Sequence, residues 1–174
     1  MTSCPTLETK RLILRPFSEN DLISYSTMLD TTELRHSLRI PDEEGVSEAW
    51  SSMAYWLGQW ELRGTGHWAL EEKISGEFIG RAGLHSPERE GWPGVEIGWA
   101  LHPGWWGLGY ATEAGAEAIR YGFEELSQET LFSTILPDNH RSQSVAKRLG
   151  FVLVETKVLP HYPHEPHEIW MIKR

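Results

Sequence analysis

The chain is poor in cysteine, in long apolar runs and in net positive charge. Its one cysteine, Cys4, cannot form an internal disulfide, so a reducing, cytoplasmic setting is expected and Cys4 reads as an inert thiol. No apolar stretch approaches the roughly 18 residues of a membrane-spanning helix, and the first residues lack the charged-then-apolar pattern of a secretory signal. Lysine and arginine number 16 against 25 aspartates and glutamates, a formal net charge of −9. That balance repels a phosphate backbone and argues against nucleic-acid binding through a broad field. It favours a cationic partner, although acidic clusters such as Asp42-Glu43-Glu44 and Glu124-Glu125 also read as solvated faces.

What is present suits one domain over 1–174, with 40% hydrophobic and 24% charged residues and a core of ordinary size. "RLILRPF" alternates as a strand up to Pro16, and Ser18 with Asp21 three residues on forms a variant capping box for a helix to about Leu29. Residues 31–45 read as a polar loop or broken helix. Ala49, Met53, Trp56 and Trp60 recur at spacings of three and four, which predicts an amphipathic helix ended by Gly64, with its aromatic stripe turned to the core. "HWALEEK", "EFIGRAGLH" and "GVEIGWALH" read as an antiparallel meander. A helix from about Tyr110 to Leu126, the strand "TLFSTIL", the helix "NHRSQSVAKRLG" and the strands "FVLVETK" and "HEIWMIK" complete the chain. The order predicts an α/β (α+β) fold, a mixed and mostly antiparallel sheet of about seven strands flanked by helices.

The stretch "GWALHPGWWGLGYATEAGAEAIRYGF", Gly98 to Phe123, sets bare backbone between bulky aromatics and a helix. Gly107 and Gly109 allow a tight turn that exposes N–H groups at a helix N-terminus, a cradle for phosphate oxygens that needs little side-chain charge. A plain strand-to-helix connection would use the same residues. Gly107 to Thr112 lacks the third glycine of a dinucleotide fingerprint, and no Gly-Lys-Ser/Thr completes a P-loop. His102, ahead of Pro103, reads as structural.

A second segment, "LPDNHRSQSVAKRLGF" from Leu136 to Phe151, follows a strand and opens a helix at Asn139. Together the two segments resemble the acetyl-CoA-binding core of the GNAT N-acetyltransferase superfamily, in which Q/R-x-x-G-x-G/A wraps the CoA pyrophosphate after the fourth strand. Here Trp106-Gly107-Leu108-Gly109-Tyr110-Ala111 occupies that pattern. Gly109 and Ala111 match it, and Trp106 departs from the usual Gln or Arg. "WGLGYATEA" and the N-terminal "LETKRLILRPFSENDL" are similar to the RimJ/RimL branch, the ribosomal-protein N-terminal acetyltransferases and their relatives. The resemblance runs from about Leu7 to Met171.

That resemblance implies a GNAT fold whose fourth strand, about Gly94 to Leu101, splays from the fifth. It implies that pantetheine pairs with main chain at Trp99 and Leu101, and that the CoA phosphates lie along Trp106 to Thr112, with Arg148 near them. Asn139 would hydrogen-bond the pantetheine, and Ser142 would meet the CoA sulfur and deliver a proton; a first-turn serine bonding backbone is the alternative. Many relatives carry a tyrosine seven residues after that Asn. Here the position is Ala146, which excludes tyrosine acid catalysis there. Glu96 points opposite to Val95 and Ile97 by strand alternation and resembles the family's glutamate base, acting directly or through water; the alternative is an exposed strand carboxylate.

Arg141, Lys147 and Arg148 form a local basic patch for CoA phosphates or ordinary solvated charges. His161, His164 and His167, three apart in a proline-stiffened segment, would align along a polyproline II helix, a spacing open to a metal or to a loop beside the acceptor groove. No metal is expected in the site. The helix around Trp50 to Trp60 is expected to wall the acceptor groove. The implied activity is acetyl transfer from acetyl-CoA to a primary amine of a protein N-terminus or small molecule, by a monomer or homodimer without nucleic acid or membrane. A noncatalytic acyl-CoA-binding domain is the alternative.

Overall fold

The computed structural model describes residues 4–40 and 45–174. Its strands are β1 (Leu7–Glu8), β2 (Leu12–Arg15), β3 (His67–Glu72), β4 (Phe78–His85), β5 (Glu96–Leu101), β6 (Thr130–Ile135), β7 (Val152–Leu159) and β8 (Tyr162–Lys173). Helices α1 (Leu22–Leu29), α2 (Thr32–Leu38) and α3 (Val46–Arg63) follow β2, α4 (Tyr110–Glu124) joins β5 to β6, and α5 (His140–Arg148) joins β6 to β7. All eight strands form one sheet in the order β1-β2-β3-β4-β5-β6-β8-β7. The strand count exceeds the expected seven because β1 has only two residues, too few to show a period. Part of the polar stretch at 31–45 forms α2; positions 41–44, with the acidic run there, lie outside the described residues.

Every neighbouring pair is antiparallel except β5 with β6. These two run parallel and share one pair, Glu96 opposite Phe132, with the Phe132 N–H donating to the Val95 carbonyl at 3.0 Å. Beyond that contact they part. A parallel crossover through α4 covers one face of the sheet, where Ala114, Ala118 and Ile119 pack on Leu12, Leu70, Leu84, Ile97 and Leu131. On the other face Tyr25, Met28, Met53 and Trp56 of α1 and α3 pack on Ala69 and Ala100. Ala49, Met53, Trp56 and Trp60 are the buried residues of α3, the stripe that its spacing predicts.

Strand alternation then has a consequence for function. Trp68, Leu70, Ala82, Leu84 and Ile97 face α4, so their neighbours His67, Arg81, Gly83, His85, Glu96 and Gly98, paired across the strands in register, share the opposite face.

The histidine segment is strand rather than polyproline II. β7 and β8 form a hairpin in which Lys157 opposes His167 and Val158 opposes Pro166. β6 reaches only as far as Glu168 of β8, so Pro163 and Pro166 lie where β8 has a strand on one side alone and a missing N–H is tolerated. Alternation puts His164 and His167 on opposite faces: His164 is exposed, and His167 is buried and stacked on Tyr162 at 4.8 Å. Among the described residues no three His, Cys, Asp or Glu side chains are grouped to hold a metal ion.

The capping pair at the start of α1 is tied to the sheet. Asp21 accepts the Ser18 N–H at 2.8 Å and both terminal nitrogens of Arg15 at 2.8 Å. Burial alone would raise the Asp21 carboxyl, but the hydrogen bonds from Arg15 and Ser18 prevail and hold it below the usual carboxylate range. A depressed folded-state pKa contributes stability that is present above the unfolded value and is lost as pH falls through the folded one. Asp21→Asn is therefore expected to cost about 2 kcal/mol at pH 7. It should also flatten the loss of stability below about pH 4, as checked by urea unfolding at stepped pH.

Candidate active site

Two clefts meet where β5 and β6 part. The larger, about 1020 Å³, runs from Trp99 past the glycine turn to α5. The smaller, about 390 Å³, lies under α3 on the polar face of the sheet. Trp99, Asn139 and Ser142 line both.

The larger cleft collects every position expected to meet the cofactor: Trp99 and Leu101 on β5, the run Trp106 to Thr112, and Asn139, Ser142 and Arg148 around α5. Gly107 and Gly109 hold φ of +76° and +84°, a left-handed backbone that side chains resist. Gly109 caps α4, whose first ladder bond runs from the Glu113 N–H to the Gly109 carbonyl at 3.0 Å. The N–H groups of Tyr110, Ala111 and Thr112 are thus left at the helix start, facing the cleft.

Arg11 fastens this turn from beneath. It donates to the Leu108 carbonyl at 2.9 Å and to Glu113 at 2.7 Å, and lies 4.1 Å from the centre of the Tyr110 ring. Thr9 adds a 2.6 Å hydrogen bond to Glu113. Trp106 ties the turn to the sheet: its indole N–H donates to the Leu101 carbonyl at 2.7 Å, and Arg141 stacks on its ring at 4.6 Å. Of the basic patch, Arg141 and Arg148 line the cleft, whereas Lys147 turns to the Trp170 ring at 5.7 Å. His102 accepts the Gly104 N–H at 3.1 Å and shapes the turn after β5.

Asn139 has a structural task as well. Its side-chain oxygen accepts the Ser142 N–H at 3.1 Å and caps α5, so its amide NH₂ is the part left to face a ligand. Ser142 lies on the lining of both clefts.

Glu96 stands at the parting itself. It is 9% exposed, and so is no solvated strand carboxylate. Oε1 accepts the Thr134 N–H at 3.1 Å and the Thr134 hydroxyl. Oε2 lies 3.1 Å from His85 Nδ1, and His85 Nε2 lies 2.7 Å from the Tyr55 hydroxyl. With Glu96 ionised, the imidazole donates from Nδ1 and accepts the Tyr55 O–H at Nε2. Tyr55 has its own pKa raised, mainly by burial. The edges of Tyr55, Trp56 and Trp92 enclose His85, with ring centres 5.8, 5.2 and 5.9 Å away. Cys4 lies outside both clefts, and burial pushes its thiol up to about 12.

The smaller cleft is lined by Glu96 and by α3, to which the sequence drew attention, and also by His85, Thr134, His67 and Arg81 and by Tyr55 of α3, none of which it singled out. Their available signal was parity: His85 and Arg81 share a face of one short strand. Which strand pairs with it, and in what register, is not written in that parity.

A parted pair of parallel strands, a glycine-capped helix behind the parting and a carboxylate at its edge are the features in which this chain is compared with known proteins. The acetyltransferase (GNAT) domain model matches residues 11–152, and the chain belongs to the GNAT acetyltransferase family as an N-acetyltransferase. It is 36% identical over 157 residues to YkkB of Bacillus subtilis, covering 86% of this chain and 87% of that protein. It is also similar to the crystal structure of an acetyltransferase from Agrobacterium tumefaciens, with 30% identity, 99% and 96% of the two chains covered and a TM-score of 0.84. RimL, a ribosomal-protein α-N-acetyltransferase solved with coenzyme A, shares the fold at 16% identity, 97% and 98% coverage and a TM-score of 0.80.

A phosphate held by backbone at Gly109 predicts which variants lose it. Gly109→Val forces a β-branched residue to φ +84°, costing roughly 1–3 kcal/mol of strain, and should abolish CoA binding in calorimetry while the protein still melts cooperatively. Arg148→Ala should weaken binding only severalfold. Wild-type affinity in Gly109→Val would remove the phosphate from this turn.

Proposed function

We propose that this chain moves the acetyl group of acetyl-CoA to a primary amine by direct attack of the amine on the thioester, with Glu96 as the base. The observation that carries this reading is the place of Glu96, buried on the lining of the smaller cleft, which meets the larger one at Trp99, Asn139 and Ser142, and hydrogen-bonded by Thr134 and His85. Residues of the larger cleft suit acetyl-CoA: unpaired helix N–H groups and two left-handed glycines for the pyrophosphate, and Arg141 and Arg148 beside them. When bound there, acetyl-CoA supplies the electrophilic thioester carbonyl.

The remaining work falls to side chains of the smaller cleft. An amine reaches the site as ammonium, since an α-amine titrates near ~7.7 and a lysine-type amine near ~10.4. The carboxylate of Glu96 holds that ammonium and takes one proton, and the nitrogen lone pair is freed for attack. His85, held by Tyr55, fixes the outward oxygen of Glu96, and Thr134 fixes the other. Past the parting, the strands no longer use all their own backbone groups. Main chain at Trp99 and the Leu101 N–H would then pair with pantetheine, the Leu101 carbonyl being held by the Trp106 indole, and Ser142 would return a proton to the departing thiolate. The acceptor amine, by likeness to the RimJ/RimL branch, belongs to a peptide N-terminus or a small molecule. One domain over 1–174 in the cytoplasm, as a monomer or homodimer, suffices for this chemistry.

Incubation with acetyl-CoA and a panel of amines, following free thiol, tests the activity; tight CoA binding with no turnover of any amine would leave a binding module. Glu96→Gln retains shape and hydrogen bonding to Thr134, so CoA affinity should hold while kcat falls roughly 10²-fold, the scale of a general base. The deficit should shrink as pH rises and solution deprotonation replaces the base, near pH ~8 for an α-amine and near ~10 for a lysine-type amine. A rate within about twofold of wild type at pH 7, far inside the usual general-base effect, would remove Glu96 from the reaction.

A further inference from the structure

We infer that the amine acceptor carries a carboxylate and that Arg81 binds it. The inference deepens the acetyltransferase reading and rests on it. Arg81 lines the smaller cleft with Glu96 and His85, on the same face of β4 as His85. Its Nη1 lies 2.7 Å from His67 Nδ1, its guanidinium is 5.0 Å from the centre of the Trp56 ring, and its Nε is buried without a hydrogen-bond partner. No carboxylate among the described residues forms an ion pair with it. By contrast Arg39, at the mouth of the same cleft, is held by both Glu165 and Asp138.

His67 does not offset this charge. The ring is stacked on Trp56 at 3.9 Å, and a Cβ on Gly98 would come within 2.9 Å of its other side. Burial, with Arg81 and His85 adding to it, drives the pKa of His67 well below its ordinary value. A neutral imidazole accepts from Arg81 at Nδ1 and leaves the cation whole.

Three donors on the lining stand apart from the acceptors the cleft does hold. Trp56 Nε1, Trp92 Nε1 and Arg81 Nε, all on its lining, are buried donors with nothing to receive them. Arg89 at the rim lies over the Trp92 and Tyr162 rings at 5.0 and 5.8 Å and donates only to the Tyr162 hydroxyl. Buried donors and buried cations are costly unless a partner arrives. The partner chemistry that answers a guanidinium and indole N–H groups together is a carboxylate. The pocket thus opposes the net charge of −9, which taken alone favours a purely cationic acceptor.

Geometry narrows the class. Arg81 and His85 are four residues apart on one strand, roughly 13 Å of backbone at ~3.3 Å per residue, and their side chains close part of that span. The amine beside Glu96 and the carboxylate at Arg81 are therefore separated by several bonds. An ω-amino acid satisfies this, and so does a peptide with an acidic side chain next to its N-terminus.

The test pairs acceptors that differ only in carboxylate against carboxamide: 5-aminopentanoate with its amide, and C-terminally amidated Ala-Glu with Ala-Gln. Wild type should prefer the acid by roughly tenfold or more in kcat/KM, the scale of a charge-assisted hydrogen bond, in the free-acid pair or in the peptide pair; which pair responds identifies the source. Arg81→Gln should bring that ratio to about one, and Arg81→Lys, which keeps the charge but not the fork, should keep part of it. In parallel, glutarate and glutaramide are titrated into CoA-saturated protein. Glutarate should bind wild type and weaken at least roughly tenfold in Arg81→Gln, with melting curves recorded for both variants. Arg81-dependent glutarate binding without turnover of any amine would sustain the carboxylate site and sink the acetyltransferase reading. A ratio near one in wild type, an unchanged ratio in both variants, or no glutarate binding would overturn the proposal.

Discussion

The structure depends on the brevity of one strand pairing. β5 and β6 share the Glu96–Phe132 pair and no other in the described ladder. A sheet normally satisfies backbone groups with its own neighbours, because a buried N–H or carbonyl without a partner is costly. Here part of that need is met by a side chain, as the Thr134 N–H donates to the Glu96 carboxylate rather than to β5 main chain. The same carboxylate therefore closes the end of the ladder and lines the space that the parting opens. Both clefts owe their meeting point at Trp99, Asn139 and Ser142 to this break.

Under the proposed reading, an acidic chain that holds a phosphate-bearing cosubstrate needs local positive potential without a positive surface. The glycine turn and the start of α4 supply it as backbone dipoles. Arg11 serves this turn structurally: it is bound to Glu113 and to the Leu108 carbonyl below the cradle. Glu113 is held below the usual carboxylate range by Thr9 and Arg11 against the opposing effect of its burial. The departure from the family pattern at Trp106 has a physical counterpart. An indole that bonds Leu101 and carries Arg141 on its face joins β5, the turn and α5 through one side chain.

The smaller cleft is built on a sheet face that carries polar side chains. His67, Arg81, His85 and Glu96 share one face across β3, β4 and β5; Gly83 allows β3 main chain to come close, and Gly98 makes room for the His67 ring. A Cβ at Gly83 would strike the Gly66 carbonyl at 2.3 Å, and one at Gly98 would strike His67 at 2.9 Å. Polar groups brought this close under α3 are stabilised in pairs where the fold provides partners, as in Tyr55–His85–Glu96. Arg81 and the two indoles are left with donors to spare. Low dielectric strengthens both the satisfied bonds and the cost of the unsatisfied ones, which is how such a cleft becomes selective for what enters it.

The sequence by itself determined the elements whose signals are local. Periods of two and 3.6 residues placed the meander, the α3 stripe and α4, and the glycines before α4 marked the turn, because alternation, capping and left-handed backbone depend on neighbours along the chain. Family resemblance added the cosubstrate and drew attention to Glu96 at the parting. Tertiary structure alone decided what lies across the strands. Register set His85 opposite Glu96 and Arg81 opposite Ala100, and β6 brought Thr134 to the carboxylate. It also made a strand of the histidine segment, since β7 supplied a partner that local proline content does not reveal. Pairing between residues tens of positions apart is chosen by the burial of whole faces. No window of the chain holds that information until the sheet has formed.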